Sequence, residues 1–168
     1  MPFNLLKKYN ELLELVSLNS TQIKQSLLGV FNRDIVNNSH FKFRNKQIVP
    51  TPKDGVITME TLFTHLTTVI TDKNTRRRDF DIDRSSRLHW VKYHINESKK
   101  ENVLYFTVKE PEGYRTYIYD IDEKYVIILE PLRNKNEYYL LTAYYLTGKD
   151  EKRDKILKKY KRKIDELL

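Results

Sequence analysis

Cysteine is absent from this 168-residue chain, which excludes disulfides, thiolate metal sites and thiol nucleophiles. Glycine is scarce: with four residues, the chain has no glycine-rich phosphate-binding loop. No apolar run approaches the roughly 20 residues that a membrane-spanning helix needs, and lysines interrupt the N-terminal leucines after two residues. We therefore predict neither a transmembrane segment nor a signal peptide, and we expect a cytoplasmic protein without membrane association.

Basic residues exceed acidic ones, with 31 Lys and Arg against 23 Asp and Glu, which favours a polyanionic partner. One basic stretch is Arg76–Arg78, followed by Arg84 and Arg87. A second stretch, residues 149–163, holds nine basic residues and three acids. With 39% hydrophobic and 32% charged residues, the composition is typical of a folded globular protein.

Helical periodicity dominates the beginning of the chain. Residues 3–30 are predicted to form two helices, the second starting at Asn19 or Ser20. A short strand is predicted within residues 40–49, and residues 50–55 have the composition of a loop. We therefore divide the chain into an N-terminal helical extension, 1–56, and a main domain, 57–168.

The main domain is predicted to be α+β. One helix starts at Thr58, a charged connector covers 72–79, and a further helix starts near Asp81 or Asp83. Runs of β-branched and aromatic residues separated by polar turns then predict a four-stranded antiparallel meander, and the segment Tyr114–Tyr145 contains eight of the twelve tyrosines. A C-terminal helix is predicted over 150–168. The predicted strands are Val103–Val108, Tyr114–Ile121, Lys124–Glu130 and Glu137–Tyr145.

No motif predicts a metal or a cofactor. Asp79, Asp81 and Asp83 alternate, but arginines surround them, and acids at a helix start are the better interpretation. Any phosphoryl chemistry would therefore be metal-independent. RNA cleavage can meet that condition, because the 2′-hydroxyl is the nucleophile and protein groups supply only proton transfer and charge.

Two segments resemble a known family. The run Arg84–Lys92 (RSSRLHWVK) and the later Leu140–Tyr144 (LLTAY), separated by tyrosine-rich strands, resemble phage-associated nucleases of the barnase–EndoU–colicin–RelE superfamily. The resemblance covers about residues 76–150 and leaves residues 1–56 outside. It implies a toxin or phage-borne endoribonuclease that cleaves RNA by transesterification to a 2′,3′-cyclic phosphate. It also implies functional residues on the helix, on the second strand and in Thr-Ala-Tyr.

His89 is the candidate general acid or base, because an imidazole titrates near neutral pH. A helix histidine without a chemical role is the alternative, and His40 and His65 are assigned to loop and helix packing. The predicted catalytic residues are His89, Arg115, Thr142 and Tyr144, and the predicted substrate-binding residues are Arg84, Arg87, Lys92 and Tyr117.

Ordinary sheet contacts are the alternative for the strand residues. Arg115 can pair across strands with Glu130, and Thr142 has a high β propensity in any case. Strand register decides whether Arg115 and Thr142 share one face. Trp90 is predicted either to contact the N-terminal region or to stack on a base.

Two other functions remain open. One is a non-catalytic RNA- or DNA-binding module, to which the charge and the lysine-rich last helix point. In the other, the terminal helices bind an antitoxin, an inhibitor protein or a second copy of the chain. The RNA target and the oligomeric state are not predicted.

Overall fold

A computed structural model describes residues 2–52, 55 and 58–168, with helices and strands in a mixed α+β order. The α-helices are α1 Pro2–Leu5, α2 Ser20–Phe31, α3 Met59–Thr67, α4 Ile82–Ser85, α5 Trp90–Ile95, α6 Gly148–Arg153 and α7 Lys155–Tyr160, and a π-helical turn, Asn32–Val36, extends α2. The strands are β1 Lys42–Phe43, β2 Lys46–Pro50, β3 Thr68–Asp72, β4 Arg77–Phe80, β5 Val103–Glu110, β6 Gly113–Asp120, β7 Tyr125–Leu132 and β8 Glu137–Tyr145.

The main sheet has six strands in the order β1-β2-β8-β7-β6-β5. The α+β class and the predicted antiparallel meander β5–β8 are confirmed. The prediction of a four-stranded, wholly antiparallel sheet is wrong, because β1 and β2 extend it and β2 runs parallel to β8. Arg44 and Asn45 both have positive φ, 52° and 63°, and form the two-residue turn between β1 and β2.

Both faces of the sheet are covered. One face packs Ile118, Ile127 and Leu129 against α2, α3 and α5. The other packs Tyr117, Tyr119 and neighbouring side chains against Ile156 of α7. Burial on both faces explains why the strands contain so many bulky residues.

The first predicted helix is wrong beyond Leu5. The side-chain amide of Asn4 donates to the Glu14 carbonyl and accepts from the Glu14 amide, and residues 6–18 form turns and irregular backbone rather than a helix. Leu13 and Leu15 are buried, whereas Leu6 and Val16 are exposed. The second helix begins as predicted, since Asn19 and Gln22 form a reciprocal capping box.

The predicted charged connector, 72–79, is also wrong. Residues 77–79 belong to β4, which pairs with β3 as a hairpin separate from the main sheet. The helices on either side start as predicted, because Thr58 caps α3 and Asp81 caps α4.

The prediction of a single helix over 150–168 is also wrong. Asp154 has a left-handed conformation, φ 40°, and separates α6 from α7, which ends at Tyr160. The Asp154 carboxylate caps Leu157 and accepts bonds from Tyr119 and Lys124, and these contacts fix the break.

The predicted domain boundary between residues 56 and 57 and the central part of the predicted loop at 50–55 lie outside the described residues. Within the described chain, no helix has the length and apolar character to cross a membrane.

Candidate nucleic-acid interface

The end of α3, the β3–β4 hairpin and α4 bring arginines beside β8. Residue Asp81 caps α4 by accepting a hydrogen bond from the Arg84 amide at 2.7 Å. This cap fixes the first turn of a short helix and directs the Arg84 side chain towards α3 and β8. The hairpin contributes Arg76, at its turn, and Arg78, on β4.

Neutral oxygens surround the Arg84 guanidinium. Its Nη1 donates to the carbonyls of His65 and Thr68 at 2.8 and 3.2 Å and to Thr142 Oγ1 at 3.3 Å. Its Nε is buried and has no hydrogen-bond partner among the described residues. Burial lowers the pKa of Arg84, and the nearby Asp81 charge only partly opposes this effect.

Arg78 is held in a similar way. Its Nε donates to Thr68 Oγ1 at 2.9 Å and its Nη2 to the Thr68 carbonyl at 3.0 Å. Burial, and then repulsion by Arg76, lower its pKa. In the part of the chain that the structure describes, no carboxylate lies within ion-pair distance of Arg76, Arg78 or Arg84, whereas the neighbouring Arg77 pairs with Asp79 at 3.2 Å.

These arginines line a continuous concave surface that we call the arginine groove. Two adjoining cavities of about 320 and 270 Å³ form it and share His65, Ile70, Arg76 and Arg78 as lining residues. Its polar walls are Thr51, Thr61, His65, Arg76, Arg78, Arg84 and Thr142. Guanidinium groups and hydroxyls are the donors that bind phosphate oxygens, so the groove is suited to a phosphodiester.

Among the sequence-predicted residues, the structure brings together Arg84, Thr142 and Tyr144. The Arg84 guanidinium lies 5.6 Å from the centre of the Tyr144 ring. Tyr144 lines an adjacent cavity of about 390 Å³ that also contains Asp81, Asp83 and Lys155. Acidic residues mix with basic ones there, so this cavity is less suited to an anion than the arginine groove.

Arg115 and Tyr117 lie on the sheet but bind residues outside the arginine groove. Tyr117, Ile128 and Thr142 form one row across β6, β7 and β8, which places Tyr117 and Thr142 on the same face roughly 10 Å apart. Arg115 forms the anticipated cross-strand ion pair with Glu130 at 2.8 Å. The Tyr117 hydroxyl donates to Glu110 at 3.0 Å, and burial raises its pKa.

His89, Arg87 and Lys92 lie outside the arginine groove. His89 is buried, and its Nε2 bonds to the Lys8 carbonyl at 2.9 Å, while burial lowers its pKa. Arg87 packs on the Tyr145 ring at 3.9 Å and pairs with Asp83. Lys92 and His89 line a different cavity, at the N-terminal segment.

Trp90 contacts the N-terminal region, one of its two predicted roles. Its indole Nε1 donates to the Glu11 carbonyl at 3.1 Å. The same segment covers His89, which explains why this predicted catalytic histidine is buried. The roles assigned to the eight predicted site residues remain predictions.

Sequence reasoning missed His65 as a groove residue and assigned it to packing. It treated Arg76 and Arg78 as part of a charged connector. The run Thr68–Asp72, rich in β-branched residues, is the signal that would have revealed the hairpin. No group of residues suited to a metal ion is present in the described ranges.

Comparison with models of known families, with curated proteins and with solved structures finds no match to this chain. The resemblance to barnase–EndoU–colicin–RelE nucleases therefore remains a prediction that rests on its short motifs.

Proposed function

We propose that the protein binds RNA, and that the arginine groove contacts the phosphate backbone. The observation that carries this proposal is the cluster of Arg76, Arg78 and Arg84, which line one concave surface without an ion-paired carboxylate among the described residues. Arg78 and Arg84 are half-buried, and most such arginines in folded proteins pair with acids, so their unmatched charge favours an external anion.

The hydroxyl-rich lining supports a phosphodiester rather than a free carboxylate ligand. Thr142 adds a hydroxyl to one of the two adjoining cavities and Thr61 adds one to the other, and phosphate oxygens accept several such bonds at once. The chain's net charge of +8 adds a general attraction for a polyanion.

Fluorescence anisotropy with labelled single-stranded RNA tests this proposal. The double variant Arg76→Glu/Arg78→Glu should lose RNA affinity by about a hundredfold, since two phosphate contacts become repulsive. Arg77→Glu/Lys73→Glu is the matched control, because it reverses the same number of charges in the same hairpin, both residues are exposed and outside the groove, and Arg77 pairs with Asp79. Equal losses of RNA affinity in both variants would show that binding depends on net charge and not on the groove. Labelled DNA of the same sequence tests whether the protein prefers RNA to DNA.

A second candidate function is metal-independent endoribonuclease activity, as the family resemblance implies. The presence of His65 in the same groove as Arg84 and Thr142 favours it. In this reaction the 2′-hydroxyl loses its proton to a base, O2′ attacks phosphorus, the P–O5′ bond breaks, and O5′ receives a proton. His65 would transfer protons, while Arg84 and Thr142 would stabilise the charged phosphorane.

Incubation of labelled RNA with the protein in EDTA tests cleavage. His65→Gln should abolish products with a 2′,3′-cyclic phosphate but preserve RNA affinity. His40→Gln, at an exposed residue outside the groove, should cleave like the wild type. Binding without cleavage by the wild-type protein would refute the nuclease and support the non-catalytic function.

A further inference from the structure

A second cavity, which we call the N-terminal cavity, has a volume of about 770 Å³. It lies between the N-terminal segment, the π-helical turn and α5, and it shares no lining residue with the arginine groove. Its walls include Lys8, Tyr9, Asp34, Lys92, Tyr93 and Asn96. This volume is within the range of roughly 300–1,000 Å³ that is typical of small-molecule sites.

A buried carboxylate at the wall lacks one hydrogen bond. Asp34 is 2% exposed, and its Oδ1 accepts from Arg33 Nε at 2.6 Å. Its Oδ2 is buried with no hydrogen-bond partner among the described residues. An unpaired buried acceptor is costly, so a ligand that reaches Oδ2 through a small shift of the Asp34 side chain and donates a hydrogen bond to it would gain affinity.

The backbone that carries Asp34 is unusual. Asn32–Val36 is a π-helical turn at the end of α2, and such turns occur frequently at functional sites. Asp34 lies in the middle of this turn, is buried and lines the cavity.

Cations and aromatic rings complete the lining. Lys8 is exposed and Lys92 is half-buried, and neither lies within ion-pair distance of a carboxylate in the described ranges. The rings of Tyr9 and Tyr93 stack in parallel with their centres 4.2 Å apart. Ammonium groups bind phosphate, and tyrosine rings provide a surface for a planar base.

We propose that the N-terminal cavity binds a purine nucleoside monophosphate. Lys8 and Lys92 contact the phosphate, the base lies against the Tyr9–Tyr93 pair, and the exocyclic amino group donates to Asp34 Oδ2. At the position of the adenine amino group uracil carries a carbonyl oxygen, which cannot donate to the carboxylate, so the free oxygen of Asp34 favours adenine. This site goes beyond the RNA-binding proposal, because its residues are separate from the arginine groove.

Isothermal titration of the full chain with AMP, UMP, adenosine and inorganic phosphate tests the site. AMP should bind most tightly. Adenosine, which lacks the phosphate, and UMP, which lacks the amino group, should each bind about tenfold more weakly, because one charge-assisted hydrogen bond changes affinity by about that factor. Lys92→Glu should weaken AMP binding by at least about tenfold. Lys158→Glu, an exposed charge reversal on α7, is the matched control and should bind AMP like the wild type.

The choice of base depends on Asp34. Asp34→Asn should reduce the preference for AMP over UMP, and Lys92→Glu provides an independent test if the Asp34 variant does not fold. Absence of AMP binding, equal affinity for AMP and UMP, or unchanged affinity in Lys92→Glu would overturn the proposal. Arg76→Glu/Arg78→Glu should leave AMP affinity unchanged even where RNA binding is lost, so the two proposals fail separately. A short RNA that competes with AMP only through its terminal nucleotide would identify an RNA end as the natural ligand.

Discussion

The arginine groove and the buried cluster around Asp120 differ in how their positive charges are matched. Asp120 is 1% exposed and contacts Lys99, the Tyr9 hydroxyl and His94, whose Nε2 is 3.3 Å from Oδ2. Every formal charge there has an opposite partner within the fold. In the groove, Arg78 and Arg84 donate hydrogen bonds only to neutral oxygens among the described residues.

This difference separates groups that stabilise the fold from groups that we propose to bind RNA. The Asp120 cluster joins the N-terminal segment to the end of β6 and so supports the fold. The groove arginines keep donors and charge available for an anion, at the cost of mutual repulsion between Arg78 and Arg84. Substitutions in the cluster should therefore affect unfolding, whereas substitutions in the groove should affect RNA binding.

The largest expected effect is on stability at Asp120. Asp120→Ala leaves Lys99 and two further polar groups without their shared partner and should lower the free energy of unfolding by about 3–5 kcal/mol. Urea denaturation measures the loss. Asp122→Ala, which removes the exposed partner of Lys99, is the control and should cost far less. Similar losses in the two variants would show that Asp120 is not a structural centre.

A smaller effect on stability should depend on pH. Burial alone would raise the pKa of Asp120, but its contacts with His94, Lys99 and Tyr9 outweigh burial and lower the pKa. Because the folded pKa lies below the unfolded value, the carboxylate stabilises the fold above about pH 4, and this contribution is lost as the pH falls further. The difference in unfolding free energy between wild type and Asp120→Asn should therefore shrink below about pH 4. A difference that stays constant down to about pH 2 would contradict the assignment.

The smallest effect is expected at Arg115, a predicted catalytic residue that pairs with Glu130. Arg115→Gln should lower the free energy of unfolding by less than about 1 kcal/mol, since the ion pair is partly exposed. RNA affinity should remain unchanged, as measured by anisotropy. A large loss of RNA affinity would move the binding surface from the groove to the sheet.

Local sequence signals predicted the local parts of the fold. The strands β5–β8 were found within a few residues because alternating β-branched and aromatic runs are contained in each strand. The caps Asn19 and Thr58 were found for the same reason. The parallel pairing of β2 with β8 was missed because it joins segments about ninety residues apart, which no periodicity reveals.

The site was harder to predict for the same physical reason. Thr142 and Arg84 were selected from motifs, and they are in contact. His89 was selected for its chemistry, but only the tertiary fold shows that residues 8–13 cover it. His65 and Arg78 line the same groove because β3 and β4 pair as a hairpin. The sequence pattern predicted a charged connector at 72–79 instead of this hairpin.

The salt dependence of RNA affinity tests most directly whether the groove arginines contact phosphates. The logarithm of affinity falls linearly with the logarithm of salt concentration, with a slope of roughly 0.7 per phosphate contact on single strands. Arg78→Gln should reduce the slope by about that amount, and Arg77→Gln should leave it unchanged. Equal slopes for wild type and Arg78→Gln would contradict the proposal that the arginine groove binds the RNA backbone.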